Sequence, residues 1–347
     1  MSNRVINILV PIISIIIGLI VGAIVMVVSG YDPVQGYIAL WTGIFGDSYS
    51  IGNTIRQITP YILAGLAVAF AFRTGLFNIG VEGQLILGWL AAAWVGYAFE
   101  LPKVIHLPLA LLAAAAGAFW AFIAGFLKAK FKVHEVIATI MLNYTALYIA
   151  NAVIKKLSDG SFKTERIHES ASLRSPFLRE LTDNSSLHYG IIVALLMVVV
   201  MWFILEKTTR GYELKAVGFN KNAADYAGMS VNKNIILAMT ISGMFAGLGG
   251  AMEALGTFQN ASIKPGFTGI GFDGIAVALL GANTPLGVVF GASLFGSLKY
   301  GALNMPNAAG IPEEIVSIII ALIIFFVASG YIIRVGLQKL SKKKEGQ

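Results

Sequence analysis

Apolar runs long enough to cross a lipid bilayer recur along this chain, and they limit its possible folds more than any other feature. A span needs roughly 18 or more mostly apolar residues. The first such run is VINILVPIISIIIGLIVGAIVMVV, and the last is IVSIIIALIIFFVASGYII near the C-terminus. Composition agrees, with 57% hydrophobic and 12% charged residues, against roughly half and a quarter in a soluble domain. The expected fold is an all-α polytopic membrane protein.

Ten spans are expected, near 7–29, 54–72, 78–98, 105–127, 135–154, 188–205, 234–255, 270–283, 285–303 and 313–334. The first run is too long for a signal-peptide core and lacks a convincing cleavage site, so it reads as a retained span. Most Lys and Arg fall on one side of this topology, among them Arg4, Arg73, Lys128, Lys130, Lys132, Lys207, Arg210, Lys215 and Lys342. That bias puts both termini in the cytoplasm. It leaves 155–187 as an outer loop, 206–233 as the largest inner loop and 335–347 as a basic inner tail of one membrane domain, 1–347. The net charge of +7 is thereby explained without nucleic acid. Cysteine is absent, which excludes disulfides. Gly18–Gly22, Gly243–Gly247 and Gly287–Gly291 have the spacing that lets helix backbones approach closely.

Two stretches interrupt the apolar pattern. RTGLFNIGVEGQLILG, 73–88, places an arginine, an asparagine, a glutamate and a glutamine among glycines. Asn78 suits a helix N-cap, and Glu82 falls where the positive end of a helix favours a carboxylate. TGIGFDGIAVALLGANTPLG, 268–287, looks alike, with Asp273 able to cap and Asn283 in the turn that follows. The two precede spans three and eight, which cross in opposite senses. Gly-interrupted helices at equivalent places of inverted halves point to a transport path near the midplane. A 5+5 inverted repeat with broken helices near 73–84 and 266–284 is expected, with Asn78, Glu82, Gln84, Asp273 and Asn283 lining the path. The competing reading has these groups capping helix ends at the membrane surface. Arg56, Glu253 and Lys299 lie near span ends, where snorkelling is the simpler explanation.

The inner loop EKTTRGYELKAVGFNKNAADYAGMSVNK, 206–233, contains NKNAADYAG, which suits a short helix begun near Asn220 and ended by Gly228. A stiff element of small residues is what a docking partner could push against; an ordinary solvated connector is the alternative. Gly269, Gly271 and Gly274 fit G-x-G-x-x-G, but no βαβ unit surrounds them. No P-loop sequence occurs, and the four histidines have no metal-ligand spacing.

GLFNIGVEGQ at 75–84, ELKAVGFNKNAADYAGMSV at 213–231 and GFDGIAVALLGANTPLGVVFGASLFG at 271–296 resemble permease subunits of bacterial ABC importers. The family is that of the ribose-type and branched-chain-amino-acid-type permeases, and the FNIGVEGQ form is most similar to its nucleoside-uptake branch. The resemblance implies a permease that pairs with a second, related permease in the cell membrane. It also implies two cytoplasmic ATPase subunits that use ATP and magnesium, an extracytoplasmic substrate-binding lipoprotein, and no cofactor on this chain. Position by position it makes Gly218, Asn220, Ala223, Ala224, Asp225 and Gly228 the ATPase-coupling residues. A sugar or other small solute is the alternative cargo. An ion-driven carrier is the main rival; it would share the broken helices but has no need of the 206–233 loop. An intramembrane enzyme lacks any nucleophile–base or metal grouping.

Overall fold

A computed structural model describes residues 3–329. The basic tail 335–347 and the end of the tenth expected span lie outside the described residues. Among the described residues the chain is helical, with two isolated β-bridges and no sheet. The helices in order are α1 (Asn3–Val28), α2 (Pro33–Phe45), α3 (Ser48–Arg73), α4 (Val81–Ala98), α5 (Lys103–Ala113), α6 (Ala115–Phe131), α7 (Glu135–Leu157) and α8 (Pro176–Leu181). They continue as α9 (Gly190–Lys207), α10 (Thr209–Phe219), α11 (Lys221–Tyr226), α12 (Val231–Met252), α13 (Ile270–Leu280), α14 (Pro285–Ala302), α15 (Met305–Ala309) and α16 (Glu313–Ala328). Among the described residues, five helical stretches are long and apolar enough to cross a membrane: α3, the α5–α6 pair, α7, α9, and α12 with its extension to Phe258. Ile12–Val28 and α13 are shorter apolar helices.

The described residues form two compact units, 3–54 with 297–329, and 55–296. In the first, α1 packs on α16, and Gly22 leaves room for Ile319 and Tyr37. The stretch between the first two expected spans holds α2. Asp32 caps it by accepting the Val34 amide at 2.8 Å, and Pro33 supplies a preset first turn. Asn304 ties the α15 end to α2 through the Ala39 carbonyl at 3.0 Å.

In the second unit α3 runs through the core, with Tyr61, Ile62, Leu63, Leu66, Val68 and Phe70 all buried. Helix α12 lies against α4 and α6. The Gly243–Gly247 pair makes this possible: a side chain on Gly247 would meet the Ala114 carbonyl at 2.1 Å, and one on Gly243 the Gly117 carbonyl at 2.5 Å. Hydrocarbon gives no driving force for apolar burial, so such backbone-to-backbone packing carries helix association. The 155–187 loop precedes α9 and the 206–233 loop follows it, so the two lie at opposite ends of the bundle.

Candidate functional site

Helix α3 stops at Arg73, the chain turns through Gly75 at φ +72°, and helix resumes at Val81. Between them Asn78 is fully buried. Its Nδ2 donates to Gln84 Oε1 at 2.9 Å and to Ser242 Oγ at 2.8 Å; its Oδ1 accepts from the Gly80 amide at 2.9 Å and Gln84 Nε2 at 3.0 Å. The Ser242 hydroxyl passes the chain on to the Ala67 carbonyl at 2.6 Å. Asn78 is therefore not the cap of α4, where Gly80 holds the cap position; its carboxamide closes a local turn and pairs with Gln84. The Gly83 amide, in the first turn of α4, finds its partner on α7. Asn143 Oδ1 accepts from Gly83 N at 2.8 Å while its Nδ2 donates to the Ile79 carbonyl at 2.9 Å.

The second break begins where α12 passes into a π-helical turn, Glu253–Phe258, which ends at Gln259 with φ +59°. Residues 259–269 then run back without regular helix to α13. Asn151 of α7 clamps this stretch on both edges, donating to the Lys264 carbonyl at 2.8 Å and accepting from the Lys264 amide at 2.9 Å. The Lys264 ammonium sits 4.3 Å from the centre of the Trp89 ring, a cation–π contact.

Glu82, fully buried, joins the two breaks. Its Oε1 accepts from Thr268 N at 2.6 Å, Thr268 Oγ1 at 2.7 Å and Gly269 N at 3.0 Å; its Oε2 accepts from Gly271 N at 2.7 Å. The first amides of any helix lack intrahelical partners, and the helix dipole favours negative charge there. Asp273 was expected to cap α13; Glu82 does so from α4. Asp273 lies in the first turn instead, with Oδ2 accepting from the Tyr61 hydroxyl at 3.3 Å.

Helix α7 serves as a ruler for depth. At 1.5 Å per residue, Asn143 lies about 12 Å from the Glu135 end and about 21 Å from the Leu157 end. Asn143 bonds Gly83, and its neighbour Tyr144 meets Phe267 edge to face with ring centres 5.0 Å apart. The meeting of Glu82 with 268–271 is thus well inside the length of a bilayer-sized helix. Direction follows from contacts: Asp273 meets Tyr61, Gly274 meets Ala64, and Val277 meets Gly65. Helix α13 thus runs parallel to α3, while α4 returns antiparallel to it. The two broken segments run in opposite senses.

Asn283 lies apart from this cluster, in the turn between α13 and α14. It has φ +55°, and its Oδ1 is buried without a hydrogen-bond partner. Glu253 does not snorkel. It is buried, and Thr257 Oγ1 donates to its carboxylate at 3.1 Å.

The inner-loop expectation for a short helix matches α11. Asn220 caps it by accepting from Asn222 N at 3.0 Å and Ala223 N at 3.1 Å, and Gly228 follows at φ +80°. Ala223, Asp225 and Tyr226 are exposed, Tyr226 almost wholly, whereas Ala224 is only 3% exposed. Gly218, just before the helix, rests on the first break. A side chain on Gly75 would meet the Gly218 Cα at 2.5 Å, and one on Gly218 the Thr74 carbonyl carbon at 2.6 Å. The loop is also pinned by Glu206, which pairs with Arg73 at 2.6 Å and Lys215 at 2.9 Å.

At the opposite end, the 155–187 loop braces the start of the second break. Arg174 Nε donates to the Gly256 carbonyl at 2.7 Å, and its other arm to the Thr257 carbonyl, satisfying the end of the π-helical turn. Burial, with Arg166 and Arg179 nearby, holds the Arg174 guanidinium below its usual pKa. Asn143, Asn151, Ser242 and Thr268 were all missed by sequence reading. Asn143, Asn151 and Ser242 carried a signal as polar residues on otherwise apolar spans; Thr268 stood in the second interrupted stretch without a feature of its own.

Bilayer-length helices, with two broken, oppositely directed segments that meet partway along α7, are the architecture of a multi-pass membrane protein. The chain belongs to the family described as branched-chain amino acid transport system / permease component, which matches residues 50–328. It is 65% identical over 345 residues to the guanosine ABC transporter permease protein NupP of Bacillus subtilis, covering 99% of each chain. It is 41% identical to the nucleoside ABC transporter permease protein NupB of Lactococcus lactis, covering 100% of this chain and 98% of that one. A second Bacillus subtilis relative, the guanosine permease NupQ, is 32% identical over 72% of this chain and 80% of its own. These relatives are transport components by name.

Proposed function

We propose that this chain is the membrane half of an ATP-driven importer of nucleosides, working beside a second, related permease. ATP and magnesium are used by two ATPase subunits on the 206–233 side, and a binding lipoprotein delivers substrate on the 155–187 side. Both termini are cytoplasmic. The ten crossing segments are α1, α3, α4, α5–α6, α7, α9, α12, the stretch 259–280, α14 and α16, arranged as a 5+5 inverted repeat. Nucleosides as cargo rest on the relatives named guanosine and nucleoside permeases.

The observation that carries the mechanism is the backbone contact of Gly218 with Gly75. Closure of the ATPases moves α11, and with no side chain between them Gly218 bears directly on the turn at 74–75. That turn leads within a few residues to the Asn78–Gln84–Ser242 cluster and to Glu82, which holds the second break. Movement at the loop thereby reaches both broken segments. Gly218, Asn220, Ala223, Asp225 and Gly228 form or frame the docking element, and Ala224 anchors it from beneath. Asn78, Glu82, Gln84, Asp273 and Asn283 set the shape of the path, the first three as buried supports of its wall. A path must release its cargo, so weak binding suffices.

Affinity purification of the chain from gently solubilised native membranes tests this reading. A P-loop ATPase that copurifies, and is lost on deleting 213–228, is the expected result. A chain that emerges alone and moves solute under an ion gradient would support the carrier reading instead.

A further inference from the structure

On the basis of the nucleoside reading above, we infer that Tyr144, Phe267 and Phe272 form the platform on which the nucleobase stacks in transit. The three rings are contiguous. Phe267 lies 5.0 Å from Tyr144 at 67° and 5.5 Å from Phe272 at 86°. They come from three different elements: α7, the extended stretch 259–269 and the first turn of α13. Tyr144 is 49% exposed, and both phenylalanines are partly exposed.

Position decides what this surface faces. Pro265, Gly266 and Thr268, around Phe267, are exposed and belong to no helix. They sit at the level of Tyr144, about 14 Å from one end of α7 and about 20 Å from the other. Irregular backbone at such depth is not found against lipid; it is tolerated only against protein or a water-filled cavity. The face bearing the three rings therefore looks into the complex.

Chemistry narrows the occupant. Edge-to-face packing leaves ring faces open to a planar group, and every base has a π-face that stacks on such rings. A base needs only such a face, whereas a sugar would also need hydroxyls and amides to meet its own hydroxyls. On this surface the Thr268 hydroxyl is already committed to Glu82 at 2.7 Å. Glu82 fixes 268–271 between the two phenylalanines, so the platform is held by the same bonds that join the breaks. The Tyr144 hydroxyl adds one group able to donate or accept.

The test uses the full importer in proteoliposomes with ATP, its binding protein, and radiolabelled guanosine as the probe. Phe267→Leu keeps apolar volume and removes the π-face. The expected result is a rise of about tenfold in KM for guanosine with little change in maximal rate, and recovery in Phe267→Tyr. An unchanged KM, or a fall in maximal rate alone, would overturn the platform and leave these rings as packing against the second permease. Should Phe267→Leu fail to assemble, the wild type decides through photolabelling with 8-azidoguanosine during turnover. Label on Tyr144 or within 265–273, suppressed by excess guanosine, supports the site; label confined elsewhere overturns it. A wild-type complex that moves no guanosine removes the nucleoside reading and this site with it, whereas guanosine uptake indifferent to Phe267→Leu removes the site alone.

Discussion

Glu82 and Gly271 meet across the two breaks of the bundle, with the Glu82 carboxylate accepting the Gly271 amide at 2.7 Å and three further donors from Thr268 and Gly269. Both helices that resume after a break depend on such help from a neighbour. Helix α4 receives Asn143 from α7, and α13 receives Glu82 from α4. A helix that begins far from water needs its first amides satisfied by protein, and buried side chains on continuous helices supply that.

Replacing Glu82 should therefore destabilise the fold before it alters any rate. Glu82→Gln has one acceptor oxygen for four donors and turns an amide N–H donor toward the helix start. A loss of about 2 kcal/mol or more is expected, since hydrogen bonds to charged groups contribute about 1.5–3 kcal/mol. Thermal melting of the purified complex in nanodiscs checks this, with Glu82→Ala expected to melt at least as low.

The Gly75–Gly218 contact gives a different signature. Gly218→Val inserts a branched side chain where even a Cβ would stand 2.6 Å from the backbone of Thr74. Insertion into the membrane should be retained while ATP-driven uptake falls more than tenfold. Uptake and expression measured side by side separate the two effects.

Neighbouring alanines of α11 should respond in opposite ways. Ala224 is buried and Ala223 exposed. Ala224→Lys should lower the yield of folded protein, because it buries a charge without a partner. Ala223→Lys should leave yield unchanged and weaken copurification of the ATPase. Ala224 is thus the wrong position for a clean docking test.

Acid should weaken the start of α3 in a way that one residue explains. The Ser50 amide donates to Asp47 at 2.6 Å and holds this carboxyl below its ordinary pKa. A depressed folded pKa adds stability that is fully present above the unfolded value, about 3.9, and is lost as pH falls through the folded one. Wild type and Asp47→Ala should differ in melting at pH 6, begin to approach one another below about pH 4, and converge only once pH has fallen below the depressed folded value.

How much of this was legible in the sequence depended on range. Helix α11 could be read locally, because Asn220 and Gly228 carry their capping roles in their own neighbourhood. The two breaks were legible as glycines and polar groups inside apolar runs. The partner of Glu82 was not, since it lies 186 residues away and nothing local distinguishes a carboxylate that caps its own helix from one that caps another. Asn78 looked like a cap for the same reason. Helix α2 did carry a signal, Asp32-Pro33 before an apolar run, but that run is too short to count as a span. Burial of Ala224 follows from which face of α11 meets the bundle, and a six-residue helix is too short to reveal that by periodicity.

Transport itself tests the central claim most directly. Proteoliposomes holding this chain, its second permease and the ATPases, supplied with binding protein and radiolabelled guanosine, should accumulate label only when ATP is present on the ATPase side. They should be indifferent to proton or sodium gradients. Accumulation that follows an ion gradient and ignores ATP would contradict the account.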